Sequence, residues 1–260
     1  MHLDHIVINV GRDMDRAAAC FEALGFTLTP RGHHHLGSIN HLMVFEDRYL
    51  ELIGLPAEGP VRQEIADSPL GLDGLVLRSN DAQATAQELA AAGFDPQGPQ
   101  RLTRPVRLDD GEHEAAFMTV RLPGQFPAGR VYYCQHLTPE LLWRPEWMQH
   151  SNGVTTLTGL RVSSADPVRE ATRYARLPAG APPVGSAPFA LQWEAAGERP
   201  ALPGMPPGKG RDERYQSLAL ACQDPGLMAE LARRAGLPCI RHGDSLMVGL
   251  PDYDTLLSFH

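Results

Sequence analysis

The sequence lacks the features that mark nucleic-acid-binding and membrane proteins. Its 23 Lys and Arg are outnumbered by 31 Asp and Glu, which gives a net charge of -8 at pH 7 and argues against a partner as anionic as nucleic acid or a phospholipid surface. No apolar run reaches the roughly 18 residues of a membrane span, and Met1 to Asp4 lack a signal-peptide pattern. We therefore expect a cytoplasmic protein that binds a small-molecule ligand, with no nucleic acid and no membrane involved.

Cysteine is also scarce, and the common motifs of cofactor and nucleophile chemistry are absent. The four cysteines form no CxxC pair, which predicts reduced, mostly buried thiols. There is no GxGxxG after a strand, no P-loop, no GxSxG and no HExxH. A Cys134 nucleophile paired with His136 is an alternative, but a cysteine within a strand is more often a core residue.

Glycine and proline, by contrast, are abundant. The 260 residues include 25 Gly and 23 Pro, above the combined average of about 12%, and this excess predicts many short elements joined by turns. With 43% hydrophobic residues, the chain can bury a core that offsets the entropy lost on ordering it. Its length fits one large domain or two ordinary ones.

A repeated unit organises these elements. Residues 3–26, LDHIVINVGRDMDRAAACFEALGF, read as a β-branched strand, a turn with Asp, an amphipathic helix and a Gly-Phe stop. Residues 72–94, LDGLVLRSNDAQATAQELAAAGF, repeat the same order, and fainter copies occupy residues 157–177 and 216–237. A pattern that recurs four times predicts four structural modules.

Extended runs follow each helix, so each module reads as β-α-β-β-β. In the first module these runs are FTLTP at 26–30, NHLMVF at 40–45 and RYLELIGL at 48–55. The third module is the poor copy, because residues 178–212 are rich in Gly, Pro and Ala. We expect its later strands to be short or lost.

The opening strand LDHIVINV, the loop GHHHLGSIN and the strand RYLELIGL together resemble the vicinal oxygen chelate superfamily, and most closely its glyoxalase-like branch. The resemblance covers about residues 1–138 well and the third and fourth modules only as topology. It implies an α+β fold in which about four tandem βαβββ modules pair into two cup-shaped sheets. Such pairing is physically reasonable, because a four-stranded sheet with one helix leaves an apolar face that a second copy can cover.

The modules predict two domains and a linker. We expect an N-terminal glyoxalase-like domain at 1–138, a linker at 139–153 and a degenerate C-terminal domain of the same type at 154–260. Trp143 and Trp147 lie four residues apart in the linker. They could form a lid over the cup, although two tryptophans at helical spacing more often pack one domain against another.

In the superfamily, a divalent metal is held in the cup by side chains of the first and fourth strands of each paired module. The resemblance assigns His5 and Glu51 to these positions in the first module, and strand alternation is consistent with both facing the cup. Imidazole and carboxylate are ligands that suit Zn, Fe, Mn or Ni. Glu51 could instead be the catalytic base, since a Glu buried in an apolar strand needs a cation, a histidine or a ligand opposite it.

The second module departs from this pattern. Gly74 stands where His5 stands in the first module, so one ligand is missing. In the fourth strand Gln135 matches Glu51 best and His136 lies beside it; neighbouring strand residues face opposite sides, so only one can easily point into the cup. The alternatives are a three-ligand metal site completed by His136, or a substrate-binding Gln135 in a cup that holds a metal weakly or not at all.

The histidine-rich loop contains further candidates. His33, Ser38 and Asn40 fall on the G-x-H and G-[ST]-x-N positions of the resemblance. A catalytic proton carrier at His33 and substrate contacts from Ser38 and Asn40 would follow. The alternative is a solvated loop in which the two polar residues only hold the backbone.

Two functions remain open. The first is an enzyme that acts on a small oxygenated metabolite, as a lyase, isomerase or dioxygenase, by stabilising an oxyanion beside a base. The second is a metal-free protein of the bleomycin-resistance type that binds or sequesters a small molecule. A scaffold with filled cups is a third reading, against which the polar His5 and Glu51 count. Gly159 and Ser217 replace ligands in the second cup, which we expect to be a structural copy or the contact of a homodimer.

Overall fold

The structure, a computed structural model, describes residues 2–108, 110–180, 186–197, 202–205 and 211–260. Within these residues the chain forms two mixed β-sheets and five α-helices, which is the α+β arrangement that the repeat predicts. None of the described helices is long and apolar enough to cross a membrane.

The first sheet is built by the first two modules. Its elements are β1 (Leu3–Gly11), α1 (Met14–Ala23), β2 (Gly32–His34), β3 (Ser38–Val44), β4 (Tyr49–Gly54), α2 (Gln63–Asp67), β5 (Gly71–Arg78), α3 (Ala82–Ala91), β6 (Gln97–Leu108), β7 (Gly111–Arg121) and β8 (Arg130–His136). The strand order is β2-β3-β4-β1-β5-β8-β7-β6, and the two modules meet where β1 and β5 pair antiparallel. The two edge strands, β2 and β6, come into contact, so the eight strands form a nearly closed cup.

The second sheet is built by the third and fourth modules. Its elements are β9 (Val154–Ser164), α4 (Pro167–Ala175), β10 (Ala190–Ala195), β11 (Arg214–Cys222), α5 (Pro225–Arg234), β12 (Cys239–His242), β13 (Ser245–Leu250) and β14 (Thr255–Phe259). Among the described residues between α4 and β11, only β10 is a strand, as the poor third copy predicts. The rest of that predicted stretch includes 181–185, 198–201 and 206–210, which lie outside the described residues.

Strand pairing sets which side chains face the cup. β1 runs parallel to β4, with His5 opposite Tyr49 and Val7 opposite Glu51. Ile6 and Ile8 lie on the other face of β1 and belong to the main hydrophobic core. Alternation along β1 therefore sends Ile6 and Ile8 to the core and His5 to the cup.

The main core joins the two sheets. Apolar side chains from both sheets and from the four longer helices form one continuous cluster, which includes Phe21, Leu89, Tyr174 and Met228. The face of each sheet that carries the helices is thus buried in this core, and the opposite face of the first sheet is left to form the cup.

Part of the opposite face of the second sheet is covered by its own chain at β13. On β13, Val248 and Leu250 point into the main core, so Gly249 faces away from it. A Cβ on Gly249 would lie 2.5 Å from Sδ of Met205 and 2.9 Å from Cδ2 of Leu202. This part of the second cup is filled by the Met205 and Leu202 side chains.

The second strand of the first module lies later than its sequence pattern predicts. The run FTLTP at 26–30 is not a strand, and β2 begins at Gly32. Thr29 still holds the chain beside β3, because its N–H donates to the Leu42 carbonyl at 2.9 Å. Pro30 has no N–H for a ladder, and regular pairing starts only after it. The other two predicted strands agree with β3 and β4 to within two residues.

The linker closes one end of the cup. It forms two short 3-10 turns, Pro139–Leu141 and Pro145–Trp147, each started by a proline. The Trp143 ring lies under the Arg78 guanidinium, 4.9 Å from its centroid, and 4.7 Å from the His136 ring. Both partners belong to the first sheet. The expectation that this tryptophan packs one domain on another is therefore wrong, and the contacts agree with the lid alternative.

Candidate active site

The inner face of the first sheet encloses a cavity with polar and apolar walls. Its polar lining is His5, His34, Asn40, Glu51, Arg62, Arg104, Thr119, Arg121 and Tyr132, and its apolar lining includes Leu42, Leu102, Phe117 and Leu142. The volume is about 60 Å³, less than half of the roughly 150 Å³ that holds a benzene ring in a protein cavity. The cavity therefore accepts a ligand of only a few heavy atoms unless side chains move.

His5 is the centre of the polar cluster. Its Nδ1 lies 2.7 Å from Asp4 Oδ1, and its Nε2 lies 3.5 Å from Glu51 Oε2 and 3.3 Å from the Tyr132 hydroxyl. The ring stacks on Tyr49 with centroids 4.2 Å apart. Partners at both nitrogens and a stacked ring fix the orientation of the imidazole, which an acid or base residue requires.

Glu51 is a buried carboxylate that faces His5. Its Oε1 accepts a hydrogen bond of 2.7 Å from Nδ2 of Asn40. Burial alone would raise the pKa of Glu51, but the hydrogen bond and charge of His5, helped by His34 and Asn40, lower it to about 2. Glu51 is therefore ionised at neutral pH.

The pKa values of the two histidines that line the cup are shifted in opposite directions. Burial would lower the pKa of His5, but hydrogen bonds to Asp4 and Glu51, together with their charges, raise it above 6.5. Burial lowers the pKa of His34 to about 4, with Arg104 adding to the effect and Glu51 opposing it. At neutral pH the cup thus holds an ionised Glu51 and a neutral His34, and the environment of His5 favours its protonated form.

Asp4 anchors this cluster from behind. Its fully buried carboxylate accepts hydrogen bonds from His5, from Nε2 of His136 at 3.0 Å and from Nε of Arg78 at 3.3 Å. Burial would raise the pKa of Asp4, but His136 and His5 hold it well below its ordinary value. Asp4 is therefore a fixed anion that orients His5, the role that an aspartate plays behind a catalytic histidine.

The predicted residues of the histidine-rich loop separate into two groups. Asn40 lines the cavity, and Ser38 supports it indirectly by bonding its hydroxyl to Nδ1 of His34 at 2.9 Å. His33 is exposed on an outer groove with His35, whereas the adjacent His34 faces the cup. The structure does not bring His33 together with Glu51, because β2 places neighbouring residues on opposite faces.

Gln135 also lies outside the cup. Its amide bonds to the backbone at the N-terminus of α3. The strand registers give the reason: Glu51 lies opposite Val7, and the corresponding Val76 of the second module lies opposite Tyr132. The residue that matches Glu51 is therefore Tyr132, and His136 is displaced toward Asp4.

One group of described side chains has the spacing of a metal site. Ligand atoms of Asp4, Cys134 and His136 lie within 4.8 Å of one another and could hold an ion. The Asp4 oxygens already accept hydrogen bonds from three residues, His5, His136 and Arg78. Burial raises the pKa of the Cys134 thiol well above its ordinary value. A metal there would have to displace those hydrogen bonds and the thiol proton.

The donor set does not fit the metal position that the resemblance implies. His5 and Glu51 are present, but a Cβ on Gly74 would lie 2.7 Å from the Val7 side chain, so no ligand fits at that point of β5. Tyr132 stands in the remaining position, and burial raises its pKa well above 10. At these two positions the second module thus supplies neither a histidine nor a carboxylate.

Sequence reasoning missed Arg104, which is 4% exposed and lines the cavity from β6. The signal was present in QRLTRPVRL, because Arg104 lies at the alternate positions of the strand that also hold the apolar Leu102 and Val106. Alternation places all three on one face, so this arginine could have been assigned to the inner face.

Comparisons with known proteins agree with the fold. The sequence matches the family model of a glyoxalase-like domain over residues 3–178, and a search of curated proteins finds no match. A hypothetical protein from Staphylococcus aureus has a TM-score of 0.70 at 13% identity, over 100% of this chain and 98% of its own. A mutant of 4-hydroxymandelate synthase from Streptomyces coelicolor has a TM-score of 0.53 at 11% identity, and the alignment covers 99% of this chain and 91% of the synthase.

A third similar structure is a fusion of a xylose isomerase-like TIM barrel with 4-hydroxyphenylpyruvate dioxygenase, with a TM-score of 0.58 and 14% identity. The alignment covers 99% of this chain but 48% of that protein. At such identities the structural likeness shows the fold alone. The family model, in contrast, covers more than half of the sequence. The matched residues include both modules that form the cup described above. The chain therefore belongs to the glyoxalase-like domain family and has the vicinal oxygen chelate fold.

Proposed function

We propose that the cup is the active site of an enzyme that transfers a proton on a small oxygenated metabolite, as an isomerase or a lyase does. The observation that carries this proposal is the buried His5–Glu51 pair, 3.5 Å apart at one cavity wall. Two titratable groups whose pKa values are pushed apart at one site are the usual mark of an acid and a base. Glu51 is the base and His5 the acid.

The reaction follows from the positions of these two groups. Oε2 of Glu51 takes a proton from the carbon next to a carbonyl, and the electron pair of that C–H bond moves onto the carbonyl oxygen as an enolate. Nε2–H of His5 donates to that oxygen and stabilises its negative charge. Return of the proton to a different position gives an isomerase, and loss of a neighbouring group gives a lyase.

The surrounding residues hold the pair in its working state. Asp4 keeps a proton on Nδ1 of His5, and Asn40 fixes the second oxygen of Glu51. The neutral Tyr132 hydroxyl, 3.3 Å from Nε2 of His5, supplies another donor beside the developing oxyanion. His5 and Glu51 are themselves buried, and a less polar environment than water strengthens each of these electrostatic interactions.

Hydrogen exchange in D₂O tests this proposal without knowledge of the natural substrate. The full chain is incubated with a panel of small 2-oxo and 2-hydroxy compounds, and proton NMR follows loss of the C–H signal next to the oxygen-bearing carbon. We expect exchange with at least one compound. We also expect the isosteric Glu51→Gln variant to lower its rate by roughly 10²–10⁴-fold.

Glu58→Gln is the matched control, because Glu58 is exposed in the loop after β4. It should exchange the same compounds at the wild-type rate. Equal exchange rates in Glu51→Gln and wild type would show that Glu51 is not the base.

The second candidate is a metal-free binding protein. It is favoured by one observation: both oxygens of Glu51 already have partners within the protein, Asn40 and His5, so the pair could serve to hold a polar ligand. A compound that binds in the cup but shows no exchange in wild type would support binding over catalysis.

We place this activity in the cytoplasm. All four cysteines are free thiols, and cytosolic proteins are kept in that state by the reducing environment. Cys134 at the cavity wall would then stay a thiol and contribute packing to the site.

A further inference from the structure

Arg104 is a buried arginine with no partner on the wall of the cup. It is 4% exposed, and its Nη2 lies away from solvent without a hydrogen bond. None of the described residues forms an ion pair or a hydrogen bond with its guanidinium. A buried charge is costly unless it is paired. Burial lowers the pKa of Arg104, and the charge of Glu51 only partly opposes this effect, because no carboxylate in the described part of the chain lies at ion-pair distance from the guanidinium. The arrangement therefore favours an anionic ligand.

The fold keeps space for this guanidinium. A Cβ on Gly32 would lie 3.1 Å from Nη1 of Arg104 and 2.2 Å from Oδ1 of Asn40. A side chain at position 32 would therefore collide with the groups beside the cavity. Glycine at the start of β2 leaves the Arg104 head next to Asn40, at the same wall as Glu51.

The other cations of the cup each lie within 4 Å of a carboxylate. Arg62 lies 2.6 Å from Glu64, and Arg121 lies 3.7 Å from the same carboxylate. His5 lies between Asp4 and Glu51. Arg104 is thus the cation of the described cavity lining that has no carboxylate at ion-pair distance, while Arg62 and Arg121 share the single charge of Glu64. A ligand with a negative charge would be favoured at this wall.

We propose that Arg104 binds the carboxylate of the ligand, so that the molecules accepted by the cup are short-chain carboxylic acids. A carboxylate matches the planar guanidinium fork with two parallel hydrogen bonds. A phosphate would bring close to two negative charges to the wall that holds Glu51. The apolar Leu102, Phe117 and Leu142 fit the hydrocarbon part of such an acid.

Direct binding measurements test the assignment on the full chain. Isothermal titration calorimetry is run with straight-chain monocarboxylates from acetate to hexanoate, with their matched amides and with inorganic phosphate. We expect a carboxylate to bind at least about 10-fold more tightly than its amide. Arg104→Met should lower the affinity for that carboxylate by roughly 10- to 100-fold, since a charged hydrogen-bonded pair is lost. Arg107→Met, an exposed position on the same strand, should bind as wild type does.

Thermal unfolding gives a second readout. If Arg104 mainly stabilised the fold, its replacement would lower Tm, whereas a ligand-binding role predicts the opposite change. Without ligand, Arg104→Met should raise Tm by about 2–4 °C, because an apolar side chain replaces an unpaired buried charge. The best carboxylate should raise the Tm of wild type and leave that of Arg104→Met unchanged.

Three results would overturn the assignment: equal affinity for carboxylate and amide, equal affinity in the Met variants at 104 and 107, or tighter binding of phosphate than of every carboxylate. A lower Tm of ligand-free Arg104→Met would also count against it. The assignment names the substrate class of the proposed enzyme and rests on it in that respect, but binding does not need the base. Carboxylate binding that persists in Glu51→Gln, with no exchange in wild type, would refute the proton transfer and leave the Arg104 site standing.

Discussion

At the scale of single residues, the orientation of a site side chain was predictable where alternation within one strand determines which face of the sheet it lies on. His5, Glu51 and Asn40 were predicted from alternation and from the resemblance, and all three line the cavity. His33 was predicted one position away from His34, the histidine that faces inward. A shift of one residue reverses every side chain of a strand, and the start of β2 depends on Pro30, whose effect on the ladder is visible only in the fold.

The pH dependence of stability provides a test at the same scale. Because the folded pKa of Glu51 lies near 2, below its ordinary 4.5, its contribution is complete above about pH 4.5 and is lost as pH falls toward 2. The raised pKa of His5 works in the opposite sense, so its contribution is complete below 6.5 and is lost at higher pH. The pair should stabilise the fold most between about pH 4.5 and 6.5.

Urea unfolding of wild type and Glu51→Gln across this range measures the effect. We expect a difference on the order of 2–3 kcal/mol near pH 6, which shrinks as the pH falls below about 4.5. Glu58→Gln should show no such difference. A difference between wild type and Glu51→Gln that stays constant from pH 6 to pH 3 would contradict the assigned ionisation.

At the scale of elements, the order of modules was predictable but the match between their strands was not. The first strands align by sequence, because LDHIVI and LDGLVL share their spacing. The fourth strand of the second module, RVYYCQHL, has no such landmark, and its position is set by long-range pairing of Val76 with Tyr132. Sequence comparison therefore selected Gln135, three residues away, and missed that the phenol takes the place of Glu51.

The linker makes a testable contribution as an element. Trp143 packs on His136, whose Nε2 lies 3.8 Å from the Cys134 thiol. Truncation in Trp143→Ala should open this end of the cup and cost on the order of 2 kcal/mol of stability. We expect Cys134 to be alkylated by iodoacetamide at least roughly 10-fold faster, because thiol reactivity depends on access; peptide mass spectrometry resolves it from the other three cysteines.

Trp193→Ala is the matched control for this experiment. Trp193 is half-buried on β10 and packs on Tyr174, with centroids 4.9 Å apart, so its truncation should also destabilise the protein. It lies in the second sheet, and the alkylation rate of Cys134 should stay at the wild-type value. Equal rates in the two alanine variants would mean that Trp143 does not close the cup.

At the scale of the whole molecule, the two sheets are coupled by specific contacts as well as by the shared core. The Tyr133 hydroxyl donates to the Pro178 carbonyl at 2.8 Å, and Phe126 packs on Tyr174 with centroids 4.6 Å apart. Arg48, which follows the turn before β4, donates from Nη1 to the Leu157 carbonyl of β9 at 2.9 Å. These contacts attach the third module to the sheet that forms the cup.

This coupling predicts that both sheets unfold together, because neither can expose its helix-bearing face without opening the common core. The three tryptophans allow each sheet to be observed separately. Trp193→Phe leaves Trp143 and Trp147 to report on the first sheet, and the double variant Trp143→Phe with Trp147→Phe leaves Trp193 to report on the second. For each variant, urea unfolding followed by tryptophan fluorescence and by far-ultraviolet circular dichroism should give one midpoint. Two separate midpoints within a single variant would show that the sheets are independent folding units, and that the second sheet does not stabilise the cup.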